Sequence, residues 1–440
     1  MCTIFEDNKS VGQGTQDPAH VGLAGAQSRL PLDVCFTIFE FAPKRTLIAC
    51  SRVSKAWREV SLPHLFRSIT VSRCRSFDDF LQFLDEHADL AWYIRNLTLE
   101  YAPRPVQEIH GLKIKPVVDR PFLVALANKL PRLQELCLLR VAFGRPVEGA
   151  NTSPAIANNS RLSSSRLRRL LLVGCHSVGI NVCHIHTLLD IFAAVPVDSI
   201  QTRDVYISSS LRHNAEQIPS HLQGQLDMPN LLMDANPFRA EGQIRYLYRA
   251  LRQAIAPRCL RQLRLDHIDR GSNFGLRSLG EILHHSGRDV LQTFELPFVI
   301  EGPIGPLEDH SEHWKILHLD ECRNLEAFGI LVRLNKFGPP PRVPFSAVCN
   351  AILAHVAPTL RRLTVTIFLA IEDAQIRNNE TICLGALDDM LEARFPALEM
   401  VRLEIQIWGD RLPKCKTAAE EVMPKSMARG ILEVVQWRCG

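Results

Sequence analysis

Apolar positions along this chain follow two rhythms. Between residues 28 and 70 they recur at helical spacing. Ser28 caps a first predicted turn with Pro31 early in it, and Val34, Ile38, Phe39 and Phe41 follow. Pro43-Lys44-Arg45 interrupts. Thr46 then caps a second predicted helix carrying Leu47, Ile48, Cys50, Val53 and Trp57, and Leu62, Leu65 and Phe66 close a third short element. This is a three-helix unit, too small to bury a robust core alone. Residues 1–27, rich in Gly, Gln, Asn and Asp, have no apolar period and read as a mobile tail.

From residue 71 onward the rhythm changes. An L-x-x-L-x-L pattern, with apolar substitutes, starts at Ile94, Leu133, Leu167, Leu260, Leu291, Trp314, Leu360 and Leu398, and a degenerate copy fits Val197–Ile207. Amphipathic helical stretches lie between copies: Ser76–Ala91 (with a capping-box-like Ser76-x-x-Asp79), Ile244–Ile255, Leu276–Leu283, Val348–Val356 and Leu384–Phe395. Pro131, Pro196, Pro257, Pro358 and Pro396 stand between helix and strand, where proline ends the helix and holds the preceding residue extended. The unit is helix, proline, strand. One unit cannot bury its own apolar stripe, but stacked units can, with parallel strands on one side and helices on the other. The expected fold class is therefore α/β: the helical unit at 28–70, then an irregular β/α solenoid over 71–440. Loop insertions are expected near 145–165, 208–241, 301–313 and 336–344, where apolar periodicity lapses. Helix-prone Thr417–Val422 and strand-prone Gly430–Val435 are expected to cap the open end.

Composition narrows the function classes. Hydrophobic residues at 46% against 22% charged exclude general disorder. A net charge of +4 over 440 residues argues against packaging a polyanion. Thirteen cysteines, an odd number without a C-x-x-C, argue against a disulfide framework and for a reducing compartment. The first residues lack a secretory leader pattern, and no apolar run approaches the ~18 residues of a bilayer span, so no membrane partner is expected.

Catalytic signatures are missing. The sequence contains no G-x-x-x-x-G-K-[ST], G-x-S-x-G or H-E-x-x-H, so neither enzyme activity nor a cofactor is expected. The densest set of ligand-type residues, Cys175-His176 with Cys183, His184 and His186, fits no zinc spacing; Cys175 is expected to end a strand, and Cys183 and His186 to sit near a helix start. His284-His285 and His310 with His313 are weaker still, and no metal is expected. In the repeats, the x positions point away from the helices. They nominate Arg264, Glu295, His318, Asp320, Arg402 and Glu404, with Arg362 beside them, as a surface for a protein substrate. Its mixed signs do not suit a phosphate-tracking groove, so nucleic acid is not expected.

One stretch carries a family likeness. Leu30-Pro31-Leu32-Asp33-Val34, then Ile38-Phe39-Glu40-Phe41, then Leu47-Ile48-Ala49-Cys50-Ser51-Arg52-Val53-Ser54-Lys55-Ala56-Trp57-Arg58 resembles an F-box without a gap, and Leu65-Phe66-Arg67-Ser68-Ile69 fits its close. The whole chain resembles fungal (basidiomycete-type) F-box proteins with degenerate leucine-rich repeats, in which segments like Ser76–Leu81 and Tyr93–Leu99 follow the box. The resemblance implies docking on a Skp-type adaptor, and through it on a cullin–RING ubiquitin ligase, in the cytoplasm or nucleus. The repeats would hold the substrate. By the family pattern the adaptor-binding set is Leu30, Pro31, Asp33, Val34, Ile38, Phe39, Leu47, Ile48, Val53 and Trp57. Leu30 and Pro31 would start the adaptor-facing helix, and Trp57 would anchor the second helix.

Charge suits an acidic adaptor, since residues 29–70 hold seven bases and three acids. Two positions depart from the family. Ala42 stands where Leu is usual, a loss of about 1–2 kcal/mol of burial at a packed site, and Thr46 replaces the usual Asp. Two competing expectations stand beside this one. The first is an adaptor-binding scaffold acting outside ubiquitination. The second is a hydrolase or transferase hidden in the α/β pattern, which would need a polar pocket at the strand ends.

Overall fold

Strand residues alternate between buried and half-buried. Leu97, Leu99 and Tyr101 point inward in one strand, and Leu136 and Leu138 in the strand beside it. A period of two with one buried face is what a sheet covered on one side requires. The structure, a computed structural model, describes residues 32–73, 76–101, 116–144, 166–178, 184–207, 218–233, 241–265, 273–300, 314–334, 345–368, 373–377, 382–407 and 410–437. The expected tail at 1–27 and the insertions at 145–165, 301–313 and 336–344 lie outside these residues.

The strands are β1 (Ser68–Arg73), β2 (Asn96–Tyr101), β3 (Val117–Val118), β4 (Glu135–Leu139), β5 (Ala142–Gly144), β6 (Arg169–Val173), β7 (His176–Val178), β8 (Ser199–Arg203), β9 (Asn230–Met233), β10 (Gln262–Leu265), β11 (Thr293–Ile300), β12 (Ala327–Leu334), β13 (Arg362–Phe368), β14 (Met400–Ile405) and β15 (Leu432–Gln436). Twelve of them form one sheet in the order β1-β2-β4-β6-β8-β9-β10-β11-β12-β13-β14-β15, with every pairing parallel. Neighbours in space are near neighbours in sequence. Parallel strands need crossovers, and helices such as Arg120–Lys129, Glu241–Ala254, Phe345–Leu353 and Leu384–Arg394 supply them. Their inward residues join the inward strand residues in one continuous core, from Val71 to Val434. The fold is the α/β solenoid that the pattern predicts.

A second, three-stranded ladder β3-β5-β7 runs beside the first. Its cause is local. After each of β4, β6 and β8 one residue takes a left-handed backbone: Arg140 (φ 59°), Gly174 (φ 60°) and Asp204 (φ 50°). The chain turns there and starts a second extended segment, and the His176–Tyr206 bridge adds a fourth segment to the ladder. The residue after each turn, Val141, Cys175 and Val205, is buried, so the chain packs back on the core at once.

The N-terminal helices are α1 (Leu32–Phe41), α2 (Lys44–Ser51) and α3 (Lys55–Phe66). Two expectations are corrected here. The second helix ends at Ser51, and Ser54 caps α3 with its Oγ accepting from the Trp57 N–H at 3.3 Å. Trp57 therefore belongs to the third helix, not the second. Thr46 is interior to α2, whose N-cap is Pro43. α3 continues through Pro63 to Phe66, and the chain enters β1 two residues later. Lys44 Nζ donates to the Ser68 carbonyl at 2.7 Å, and the Arg95 and Asn96 N–H groups donate to Arg67 O at 2.9 Å. The helical unit thus runs directly into the first strand of the sheet.

The repeat reading is corrected at two places. The match starting at Trp314 is not a strand: Leu319–Glu321 is a 3-10 turn and β12 lies further on. Trp314, Leu317 and Leu319 are all buried, so a turn packed on the core mimics strand spacing. The real strand carries Leu325-x-x-Phe328-x-Ile330 inward. Likewise 208–241 is not simply a loop. Within it Met228, Leu231 and Met233 are buried, and β9 pairs with both β8 and β10. At the far end, helices Leu412–Val422 and Pro424–Ala428 precede the edge strand β15. At the predicted capping box, Ser76 Oγ accepts from the N–H of Asp78, one residue before the expected partner.

Close packing of one repeat on the next has a clear requirement at Gly280, in helix Asn273–Ile282. A Cβ there would lie 1.9 Å from the carbonyl oxygen of Ile316, so only glycine lets this helix meet the next repeat's turn. Among the described residues no helix is long and apolar enough to cross a membrane. The described cysteines are free, and burial pushes the Cys175 and Cys322 thiols up to about 12, which leaves them protonated and inert.

Candidate docking surfaces

The α1–α3 unit separates its apolar residues into an inside and an outside. Phe39, Leu47 and Val60 form a small core of their own, with Cys35, Ala42, Cys50 and Leu65 half-buried around it. Ala42 sits at the rim of this core, so the shorter side chain there leaves it thinner. The Phe39 ring lies 5.5 Å from Trp57 and packs edge-on to His64 at 6.3 Å. Burial lowers the His64 pKa, with Arg67 and Arg95 adding to the effect against Glu40. A neutral imidazole suits a ring packed on Phe36 and Phe39.

Outside this core Val34, Phe36, Ile38, Phe41, Ile48, Val53 and Trp57 stay exposed, Ile38 at 52%, Val53 at 69% and Phe41 at 82%. They account for seven of the eleven exposed large hydrophobics among the described residues. Isolated exposed apolar side chains are ordinary, but a concentration on three short helices and the turn that carries Val53 marks an interaction surface. Of the ten residues assigned to adaptor binding, Val34, Ile38, Ile48, Val53 and Trp57 are on this surface. Phe39 and Leu47, 4% and 3% exposed, lie in the core that holds the helices together. Asp33 falls in the first turn of α1, while Leu30 and Pro31 lie outside the described residues.

The second surface is the face of the sheet turned away from the helices. Strand register builds one lateral row across all twelve strands: Thr70, Thr98, Cys137, Leu171, Gln201, Leu232, Arg264, Glu295, Gly329, Thr364, Arg402 and Glu433. The first half is uncharged, and the second half carries paired charges. Arg264 Nε lies 3.3 Å from Glu295, and Arg402 reaches Glu404 at 3.0 Å and Glu433 at 3.7 Å. Gly329 leaves room for Glu295, since a Cβ there would sit 2.9 Å from Glu295 Cγ. Thr366 Oγ1 donates to Glu404 at 3.0 Å. Arg362 begins β13 and is exposed.

Five of the seven expected substrate residues, Arg264, Glu295, Arg362, Arg402 and Glu404, thus lie on β10, β11, β13 and β14. His318 and Asp320 do not join them. They sit in the turn before β12, because the match at Trp314 is a turn, and their place on the sheet face is corrected.

The cluster at Cys175 and His184–His186 is spent on separate partners. Cys175 Sγ donates to Leu138 O at 3.1 Å, and His186 Nε2 meets Tyr246 OH at 2.5 Å. Among the described residues a triad of metal-type ligands converges elsewhere, at His284, His318 and Glu321. Sequence reading missed it because His284 and Glu321 are 37 positions apart and meet only when repeats stack.

Fold and surfaces define a class: a solenoid-like array carrying a small helical docking unit at one end. The comparison with known families agrees for that unit, since residues 27–72 match the F-box-like family. None of the curated proteins matches the chain. An F-box-like domain supports a role in protein–protein interaction.

Proposed function

We propose that the chain is a substrate-recognition subunit of an SCF-type (Skp–cullin–F-box) ubiquitin ligase. Residues 28–70 dock on a Skp-type adaptor, and the leucine-rich-repeat-like array of 71–440 holds a protein client. The observation that carries this reading is the concentration of exposed apolar side chains on α1–α3, inside the stretch that matches the F-box-like family. The contact set on this reading is Val34, Ile38, Ile48, Val53 and Trp57, with Leu30, Pro31 and Asp33 at its start. The chain itself performs no bond chemistry; it raises the effective concentration of a client lysine near the charged ubiquitin carrier. The mixed, self-paired charges of the sheet face suit a protein client rather than a nucleic acid. The setting is the cytoplasm or nucleus.

The test is coexpression of the full chain with a tagged fungal Skp-type adaptor, beside an Ile38→Asp/Val53→Asp variant. Both positions are exposed, so the variant keeps its fold. Wild type is expected to copurify one-to-one and the variant to be lost at least tenfold. Failure of wild type to copurify overturns the reading. Recovery of cullin and ubiquitinated clients with the wild-type complex separates a ligase subunit from a scaffold.

A further inference from the structure

In helix Asn273–Ile282 and the turn beyond it, the regular backbone gives way to a single π-helical turn, Leu283–Gly287. A π turn inserts an extra residue and re-aims the side chains on it, a device frequent at functional sites. Here it carries His284. One repeat later the chain makes a second irregular choice: His318 adopts a left-handed backbone at φ 53° just before the Leu319–Glu321 turn. Both irregularities aim at the same point. His284 Nδ1 stands 2.9 Å from Glu321 Oε2, and His318 Nδ1 stands 3.2 Å from Glu321 Oε1. The imidazole rings lie 5.4 Å apart, tilted 49°. Gly280 makes the meeting feasible, because it lets the first helix touch the backbone of Ile316 and Leu317.

We infer that His284, His318 and Glu321 form a binding site for a divalent transition-metal ion of the zinc class, bridging the repeats of β11 and β12. Two imidazoles and one carboxylate are a donor set that zinc favours, with a fourth position left for solvent. The ligand atoms of the three residues all lie within 4.8 Å of one another, close enough for one ion to be reached by all three after small side-chain rotations. Glu321 also lines a cleft of about 340 Å³ together with Arg258, Arg288, Asp289, Asp320 and Arg323. Arg288 Nε lies 3.3 Å from Glu321 Oε2, the place of an outer partner that orients a ligating carboxylate. Its positive charge opposes the cation, and Asp289 and Asp320 in the same cleft offset it.

The buried Cys322 is not part of the donor set. Its thiol is pushed up to about 12 by burial and points to the His318 carbonyl, at 3.8 Å. The ligands come from a π turn and a 3-10 turn in successive repeats, so the ion acts as a cross-link in the helical layer, away from the row of charges on the sheet.

The experiment uses the full chain, reduced and stripped with chelator, titrated with Co²⁺ and then with Zn²⁺ against a chromophoric competitor. His284→Gln, His318→Asn and Glu321→Gln run beside it. All three positions are partly exposed, and Asn tolerates the left-handed backbone at 318. Wild type is expected to take up one ion, with the visible spectrum of four-coordinate cobalt bound through nitrogen and oxygen and no thiolate charge-transfer band. Each variant is expected to bind at least tenfold more weakly, and zinc is expected to raise the melting temperature of wild type only. No binding by wild type, a thiolate band, or equal binding by the variants overturns the assignment.

Discussion

Phe39 and Trp57 lie ring to ring at 5.5 Å between α1 and α3, but only Phe39 is enclosed, at 4% exposure against 39% for Trp57. The pair marks where the core of the helical unit ends and its outer surface begins. Removing the enclosed ring leaves a cavity, so Phe39→Ala is expected to destabilise the unit by about 3–5 kcal/mol. Phe41→Ala, on the exposed side, is expected to change stability by less than about 0.5 kcal/mol. Hydrogen exchange across residues 32–66 reads the difference. Equal protection in the two variants would remove the division between core and surface.

Much of the fold was open to sequence reading, for a reason visible in particular strands. β2, β4, β6, β13 and β14 each set three apolar residues at fixed offsets, because a parallel strand beneath a helix must bury alternate side chains. β9 escaped notice because its Met228, Leu231 and Met233 lie in a polar, proline-bearing stretch. β12 was displaced by the buried turn at Trp314. The docking surface was legible in composition but not in direction: Ile38 and Phe39 are adjacent and equally apolar, and only packing against Leu47 and Val60 decides which one faces out. The triad of His284, His318 and Glu321 was not legible as a set, since His284 reaches the local pair His318 and Glu321 only when repeats stack.

Gly280 tests the stacking directly. Its missing side chain is replaced in space by the Ile316 carbonyl and the Leu317 backbone. Backbone cannot swing aside, so Gly280→Ala forces the helix Asn273–Ile282 off its neighbour. A loss of about 2–3 kcal/mol is expected, at the upper end of overpacking. Urea denaturation measures it. Gly224→Ala is the control, because nothing lies within 4 Å of a Cβ there and the cost comes only from its positive φ of 63°. A smaller loss at 280 than at 224 would contradict the packing.

Asp119 gives the array a pH dependence whose sign is fixed. It caps the helix Arg120–Lys129, with Oδ1 accepting from the Phe122 N–H at 2.9 Å. Burial raises its carboxyl above the ordinary value of 3.8, outweighing its backbone hydrogen bonds. The native state therefore holds this proton more tightly than the unfolded chain. The stabilisation is fully present below the unfolded value and is lost as pH rises through the raised folded value. Asp119→Asn keeps the cap and deletes the charge. It is expected to match wild type in acid and to equal or exceed it at neutral pH, whereas Asp119→Ala loses about 1 kcal/mol of capping throughout. Urea midpoints at the two pH values decide it, and an Asn variant weaker than wild type at neutral pH alone would reverse the sign.

Asp388 closes the far end of the solenoid. It is 1% exposed on helix Leu384–Arg394, and its carboxylate accepts from the backbone N–H groups of Lys425 and Ser426 at 2.8 and 2.9 Å, and from Ser426 Oγ. Those are the first turns of helix Pro424–Ala428, which delivers the chain to β15. Asp388→Ala strands these donors in a buried place and is expected to cost about 2–3 kcal/mol. Ser426→Ala, which removes one hydroxyl donor, is expected to cost about 1 kcal/mol. In a stacked array each unit leans on its neighbours, so the damage is expected to stay near the end. Hydrogen exchange in Leu432–Gln436 is expected to rise sharply in Asp388→Ala while β2, β4 and β6 keep wild-type protection. A rise spread evenly over the sheet would mean that the array unfolds as one cooperative block and that Asp388 is not a local clasp.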